Sequence, residues 1–271
     1  GAGDDTFLIG GSDTAYDRFQ GDAGFDVIQG GAGDDTIRVN YFSGASTVER
    51  IDGGLGLNVI AGTQYNDTID LSGTELVNIA NIDGGVGNDV ITGSAGNDLL
   101  FGADGNDVLH DNSGNNLLDG GLGNDMLTGN AGNEFFVGGA GSDTISTGNG
   151  ADIIAFNRGD GQDTVNGGIG TDNTITLGGG IQYSDLALSK SGNDLILEVG
   201  NGDQINLKNW YAATDNYKSV LNLQMVADAV AGFDRASADP LLNKSIQDFD
   251  FTAIVDAFDQ ARGSNANFAH W

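Results

Sequence analysis

From Gly84 to Ala155 the sequence runs as eight consecutive nonapeptides with no slip in register. The fifth, Gly120 to Thr128, reads Gly-Gly-Leu-Gly-Asn-Asp-Met-Leu-Thr and generalises to G-G-x-G-x-D-x-U-x, where U is a large apolar residue. The U position holds Ile91, Leu100, Leu109, Leu118, Leu127, Phe136, Ile145 and Ile154. The glycines permit positive φ and close backbone approach, so the first six positions make a turn. The last three make a short strand whose U side chain points inward and whose neighbours point outward. A turn and a strand reverse the chain, so two nonapeptides close one coil. Coils of this kind stack as parallel strands in two sheets around a thin aliphatic core, and each depends on its neighbours for burial.

The pattern extends in both directions. Gly21–Gln29 and Gly30–Arg38 are complete repeats with Asp26 and Asp35 at the sixth position, and two looser ones before them end in Asp5 and Asp17. Gly53–Ala61 and Gly62–Asp70 are weaker: Asn58 replaces one aspartate, Tyr65 replaces one glycine, and Asp67 is kept. Segments 39–52 and 71–83 break the nine-residue register. Past Ala155, Arg158–Asn166 carries Asp163, and Gly167–Ile175 carries Asp172. The expected divisions are repeats at 1–38, 53–70 and 84–172 within a first domain 1–172, a β capping segment 173–211, and a helical tail 212–271.

Charge narrows the chemistry. The chain has 39 acidic against 10 basic side chains, net −29, so nucleic acid and anionic membranes are poor electrostatic partners. Such a chain repels itself on compaction unless cations neutralise it. Cysteine is absent and histidine is limited to His110 and His270, which argues against thiol chemistry, His-based metal sites and a Ser-His-Asp triad. The G-x-G-x-x-G fragments open no helix, and no twelve-residue loop ends in a glutamate with EF-hand spacing. No apolar run reaches 18 residues, so no membrane insertion is expected. No N-terminal signal peptide is evident.

The nonapeptide consensus is that of known calcium-binding β-helix repeats, and the metal assignment rests on that likeness. The sequence resembles the RTX, or repeats-in-toxin, family, whose members leave the cell by type I secretion. The resemblance implies an all-β fold: a parallel β-roll with a β cap and a short helical C-terminal tail. It also implies several calcium ions, each held between successive turns on one edge by backbone carbonyls and sixth-position aspartates. Carried onto this sequence, one set is Gly85, Gly87 and Asp89 with Gly102, Asp104 and Asp107. The next is Ala103, Gly105 and Asp107 with Gly120, Leu122 and Asp125. A third is Gly121, Gly123 and Asp125 with Gly138, Ala140 and Asp143. Gly148, Gly150 and Asp152 with Gly167, Ile169 and Asp172 are candidates on the same pattern, as are Asp5, Asp17, Asp26, Asp35, Asp67, Asp98 and Asp163. Segments 39–52 and 71–83 are expected to be longer, metal-free coils.

The two edges differ. Odd repeats keep Asp89, Asp107, Asp125 and Asp143, while even repeats carry Asp98, Asn116, Glu134 and Asp152, so ions between Asp98 and Asp152 are expected to be weak or missing. The outward positions of the even strands form an apolar stripe through Leu99, Phe101, Leu117, Phe135, Val137 and Ile153. The C-terminal third is expected to cover it.

Beyond the repeats, 185–197 resembles the segment that follows many RTX arrays, and its expected task is to cap the last coil. Lys218–Ala231 and Thr252–Arg262 read as amphipathic helices. The tail is where the family keeps its uncleaved secretion signal. The expected function is a calcium-triggered folding and secretion module, not an enzyme, located outside the cell or at its surface. Its expected partners are calcium, the type I secretion machinery and upstream domains, since the sequence opens inside a repeat. The alternative is a calcium-dependent adhesin or surface-layer binding module.

Overall fold

The computed structural model describes residues 1–11, 16–168, 172–213, 218–226, 241 and 244–264. Contacts divide the chain into two compact units, Gly1–Gly132 and Asn133–Trp271. Both are built from parallel β-coils, and the expected β-roll is the fold observed.

In the first unit an even sheet contains Thr36–Arg38, Asn58–Ala61, Ile79–Val86, Leu99–Asp104 and Leu117–Leu122. An odd sheet contains Tyr41–Phe42, Thr68–Asp70, Val90–Thr92, Val108–His110 and Met126–Thr128. The U residues stack in register, Ile69 beside Ile91 beside Leu109 on one side and Ile82 beside Leu100 beside Leu118 on the other. All eight U residues from Ile91 to Ile154 are buried. Even strands are longer because pairing continues into the following turn: Ala103 pairs with Gly121 and Asp104 with Leu122. The first three positions of the odd-edge turns are therefore themselves held in parallel ladders.

The N-terminal coils depart from the two-sheet expectation. Thr6–Leu8, Val27–Gln29, Arg50–Asp52 and Glu75–Val77 form a third parallel sheet. Segments 39–52 and 71–83, which break the repeat, supply the third-side strands Arg50–Asp52 and Glu75–Val77. The extra residues widen the coil: sixth-position partners lie 22 residues apart at Asp67 and Asp89, but 18 apart at Asp89 and Asp107.

In the second unit the even sheet runs through Phe135–Ala140, Ile153–Phe156, Asn173–Leu177 and Val220–Val226 to Ile246–Asp250. The odd sheet runs through Thr144–Ser146, Gln162–Asn166 and Asp203–Lys208 to Asp194–Gly200 and Ala187–Ser191. In each the last pairings turn antiparallel. Helix Phe251–Ser264 matches the expected 252–262, and it buries Phe251, Val255 and Phe258. Trp210 meets Phe251 edge-on at 5.7 Å.

One expectation fails here, and a second is not met by the described residues. Val220–Val226, read as the start of a helix over Lys218–Ala231, is a strand parallel to Asn173–Leu177; 227–231 lie outside the described residues. Its leucine, glutamine and methionine favour helix in isolation. The exposed edge of Asn173–Leu177 offers a full backbone ladder, and alternate burial at Leu223 and Met225 then outweighs propensity. The described C-terminal segments extend the even sheet rather than cover its outer face. Within this unit the helix packs on Val220–Val226, and Phe135 and Ile153 remain exposed at 37% and 36%.

Candidate metal centre

The sixth-position side chains form a ladder. In each pair the N–H of one residue donates to the side-chain oxygen of its counterpart one coil later. Asp67 donates to Asp89 Oδ1 (2.7 Å), Asp89 to Asp107 Oδ1 (2.7 Å) and Asp107 to Asp125 Oδ1 (2.8 Å). Asp98 donates to Asn116 Oδ1 (2.6 Å), and Asp5 to Asp26 Oδ1 (2.7 Å). In the second unit Asp143 donates to Asp163 Oδ1 and Glu134 to Asp152 Oδ1, both at 3.0 Å. A parallel stack places equivalent turns one above another, so one turn position serves each step.

A second ladder was missed in the sequence. Fifth-position Asn88 Oδ1 accepts the Asn106 N–H (2.9 Å), Asn106 Oδ1 accepts the Asn124 N–H (2.6 Å), and Asn97 Oδ1 accepts the Asn115 N–H (2.9 Å). The recurring Asn before the aspartate was its visible signal. Glu49 was also missed: its Oε2 accepts the Asp26 N–H at 2.7 Å, so an irregular coil keeps the ladder through a longer side chain.

The remaining carboxylate oxygen separates the turns. In Asp26, Asp89 and Asp107, Oδ2 is buried and, among the described residues, receives no hydrogen bond. Loss of water around these groups raises the Asp89 and Asp107 carboxyls to about 6, and neighbouring carboxylates push the same way. Burial likewise raises Asp152. A buried anionic oxygen without a donor is costly, and a cation or a proton is what relieves it.

The backbone around Asp107 leaves room for little else. A Cβ on Gly102 would lie 2.5 Å from Asp107 Oδ2 and 2.6 Å from the Gly120 carbonyl oxygen. A Cβ on Gly105 (φ +155°) would run into the Gly87 carbonyl, so this position needs glycine for space as well as conformation. The Asp104 and Leu122 carbonyls accept the Gly87 and Gly105 N–H groups at 2.8 Å, and each keeps a second lone pair. Among the described residues no three acidic or histidine side chains converge. A cation here would draw mainly on carbonyl oxygens, a donor set that suits calcium's six to eight oxygen ligands. The residues fit the metal.

Of the other sequence candidates, Asp35 is satisfied twice, by the Gly11 N–H on Oδ1 (2.5 Å) and the Gly31 N–H on Oδ2 (2.6 Å). Asp17 is half-buried, and its N–H donates to the Arg38 carbonyl. Gly148 and Gly150 have φ of +81° and +137°, as a turn of this kind requires. In the last turn the ladder position belongs to Asn173, whose Oδ1 accepts the Asp152 N–H (2.9 Å), while Asp172 is exposed. That turn is one residue longer than the repeat, which moves Ile175 rather than Thr174 into the core. Gly167 precedes Gly168, which sits against the Gly148 carbonyl; Ile169 lies outside the described residues. The third ligand set has one half in each unit, with Gly121, Gly123 and Asp125 in the first and Gly138, Ala140 and Asp143 in the second.

The RTX calcium-binding nonapeptide repeat, as a family model, matches residues 17–40, 52–73, 81–109, 101–133 and 128–162. The chain belongs to the RTX family. These matches cover the turns that carry Asp26, Asp89, Asp107 and Asp152. RTX repeats bind calcium and are typical of type I secreted proteins. No curated protein matches the chain. No helix among the described residues is long and apolar enough to cross a membrane.

Proposed function

We propose that this chain is a calcium-triggered folding and secretion module, the C-terminal part of a larger type I-secreted extracellular protein, with no catalysis of its own. The observation that carries this reading is the buried, donor-free Oδ2 of Asp89 and Asp107. These turns are unfavourable as anions until an external positive charge arrives. Extracellular calcium modules bind at about 10⁻⁴–10⁻³ M, above cytosolic calcium levels. The chain therefore stays largely unfolded inside the cell, passes the export channel, and folds on reaching outside calcium. Net charge −29 and a thin core keep the metal-free state open. A calcium titration followed by circular dichroism tests this. A cooperative coil-to-β transition is expected with calcium and not with magnesium, which demands tighter octahedral geometry. A fully folded spectrum in excess chelator would sink the reading.

A second reading, a calcium-dependent adhesin or surface-layer module, is favoured by one observation. Leu99, Phe135 and Ile153 of the apolar stripe stay exposed, Leu99 at 43%. Calcium-dependent adsorption to a cell surface, lost on Phe135→Ser, would support it.

A further inference from the structure

Two turns of the first unit solve the buried-carboxylate problem internally. In Gly62–Asp67 the Thr63 N–H donates to Asp67 Oδ2 (2.5 Å) and the Thr63 hydroxyl donates to Asp67 Oδ1 (3.1 Å). The same hydroxyl accepts the Tyr65 N–H at 3.0 Å. Gly93–Asp98 repeats the network: the Ser94 N–H donates to Asp98 Oδ2 (2.7 Å), the Ser94 hydroxyl reaches Oδ1 and Oδ2 at 3.0 and 2.9 Å, and it accepts the Gly96 N–H (3.0 Å). Asp67 and Asp98 are buried like Asp89 and Asp107, yet neither has an oxygen without a donor.

The difference traces to the second position of the turn. In the turns of Asp26, Asp89, Asp107 and Asp152 that position has positive φ: Asp22 (71°), Gly85 (95°), Ala103 (75°) and Gly148 (81°). Thr63 and Ser94 do not. A β-branched residue is strongly disfavoured at positive φ, so threonine at this position favours the closed form of the turn, although Thr47 does reach φ +48° elsewhere in the chain.

We infer that Thr63 is a built-in substitute for the metal that ends the odd-edge calcium row: its N–H and hydroxyl occupy the Asp67 carboxylate, so no calcium ion sits between turn 62–67 and turn 84–89. Ser94 does the same for Asp98 in its own turn. This rests on the reading that cations relieve the donor-free Oδ2 atoms elsewhere. The row then starts between turns 84–89 and 102–107, although Asp67, Asp89 and Asp107 occupy equivalent sequence positions.

The test is the number of calcium ions bound by the full chain, counted by native mass spectrometry. Thr63→Gly frees the second position to take positive φ and is expected to add one ion. Thr63→Ser keeps the hydroxyl and is expected to leave the count unchanged. Thr63→Val removes the hydroxyl while still disfavouring positive φ, so it is expected to need more calcium to fold but to add no ion. An unchanged count in folded Thr63→Gly overturns the inference. If that variant does not fold, anomalous scattering from calcium-loaded wild-type crystals decides. Calcium between turns 84–89 and 102–107 with none on Asp67 or Asp98 supports the inference. Calcium at ligand distance from Asp67 overturns it alone. A wild-type chain that binds no calcium overturns both this inference and the functional reading, which separates the two failures.

Discussion

Asp107 and Asn116 occupy the same position in consecutive repeats, and both are buried. Each offers one oxygen to the N–H of the preceding coil, at 2.7 and 2.6 Å. They differ in the remaining atom. Asp107 Oδ2 is buried without a donor, whereas Asn116 Nδ2 donates to Asp111 Oδ1 (2.5 Å) and to the Ser113 carbonyl (3.2 Å). Asn58 behaves like Asn116, with Nδ2 on the Asn78 carbonyl at 3.0 Å. Among the described residues the ladder therefore joins turns that keep the aspartate and turns that have replaced it. On the function proposed above, dependence on metal resides in one atom per turn, and an NH₂ in place of that oxygen finds acceptors within the protein.

The largest effect that sharpens this contrast is loss of a metal-type carboxylate. Asp107→Ala removes a ladder acceptor and an oxygen shared by two ligand sets, so the calcium midpoint should rise tenfold or more and fewer ions should bind. Asn116→Ala also loses buried hydrogen bonds, at a cost of about 1–3 kcal/mol, but the number of bound ions should not change. Folding and binding are coupled, so the midpoint alone does not separate the two variants. Equal ion counts in both would break the contrast.

Acid should act selectively on the metal-type turns. Asp89 and Asp107 have carboxyls raised to about 6, above the ordinary value of about 3.9. Between those values the folded metal-free state holds more protons than the unfolded one, so its stability falls as pH rises from about 4 to about 6. The metal-free chain proposed above is largely unfolded, with these carboxyls near their ordinary value, so calcium displaces few protons until pH approaches about 4. The calcium midpoint measured by circular dichroism should therefore stay nearly level from pH 7 to about 5 and rise as pH falls further. A midpoint that rises tenfold between pH 7 and 6 would contradict this.

The smallest effect concerns the fifth-position ladder. Asn106→Ala loses one acceptor, for the Asn124 N–H, on an exposed edge. It should lower the stability of the calcium-loaded state by about 0.5–1.5 kcal/mol in urea denaturation. A loss of calcium ions on this substitution would mean that the two ladders are not separate.

The core was legible from the sequence because one apolar residue every nine positions has a single periodic solution, and Ile91 to Ile154 all occupy it. The sixth-position aspartates were legible as a row for the same reason. Three features were not. Two strands of the third sheet, Arg50–Asp52 and Glu75–Val77, come from segments without a repeat, so no pattern announces them. Val220–Val226 takes its conformation from the edge of Asn173–Leu177, a tertiary partner that local propensity does not contain. The self-closed turns depend on whether the second residue adopts positive φ. Ala103 does and Ser94 does not, although both are small residues in otherwise similar turns. The edge rule read from the sequence, odd against even, does not distinguish Asp67, ahead of the odd row, whose carboxylate is closed by Thr63.

The substitution that tests the one-atom account most directly is Asp107→Asn, because it keeps the Oδ1 acceptor for the Asp89 N–H and changes only the second atom. Calcium stoichiometry by isothermal titration should fall relative to wild type, while circular dichroism at saturating calcium still shows a β fold. An Asp107→Asn protein that binds as many calcium ions as wild type, at the same midpoint, would contradict the account.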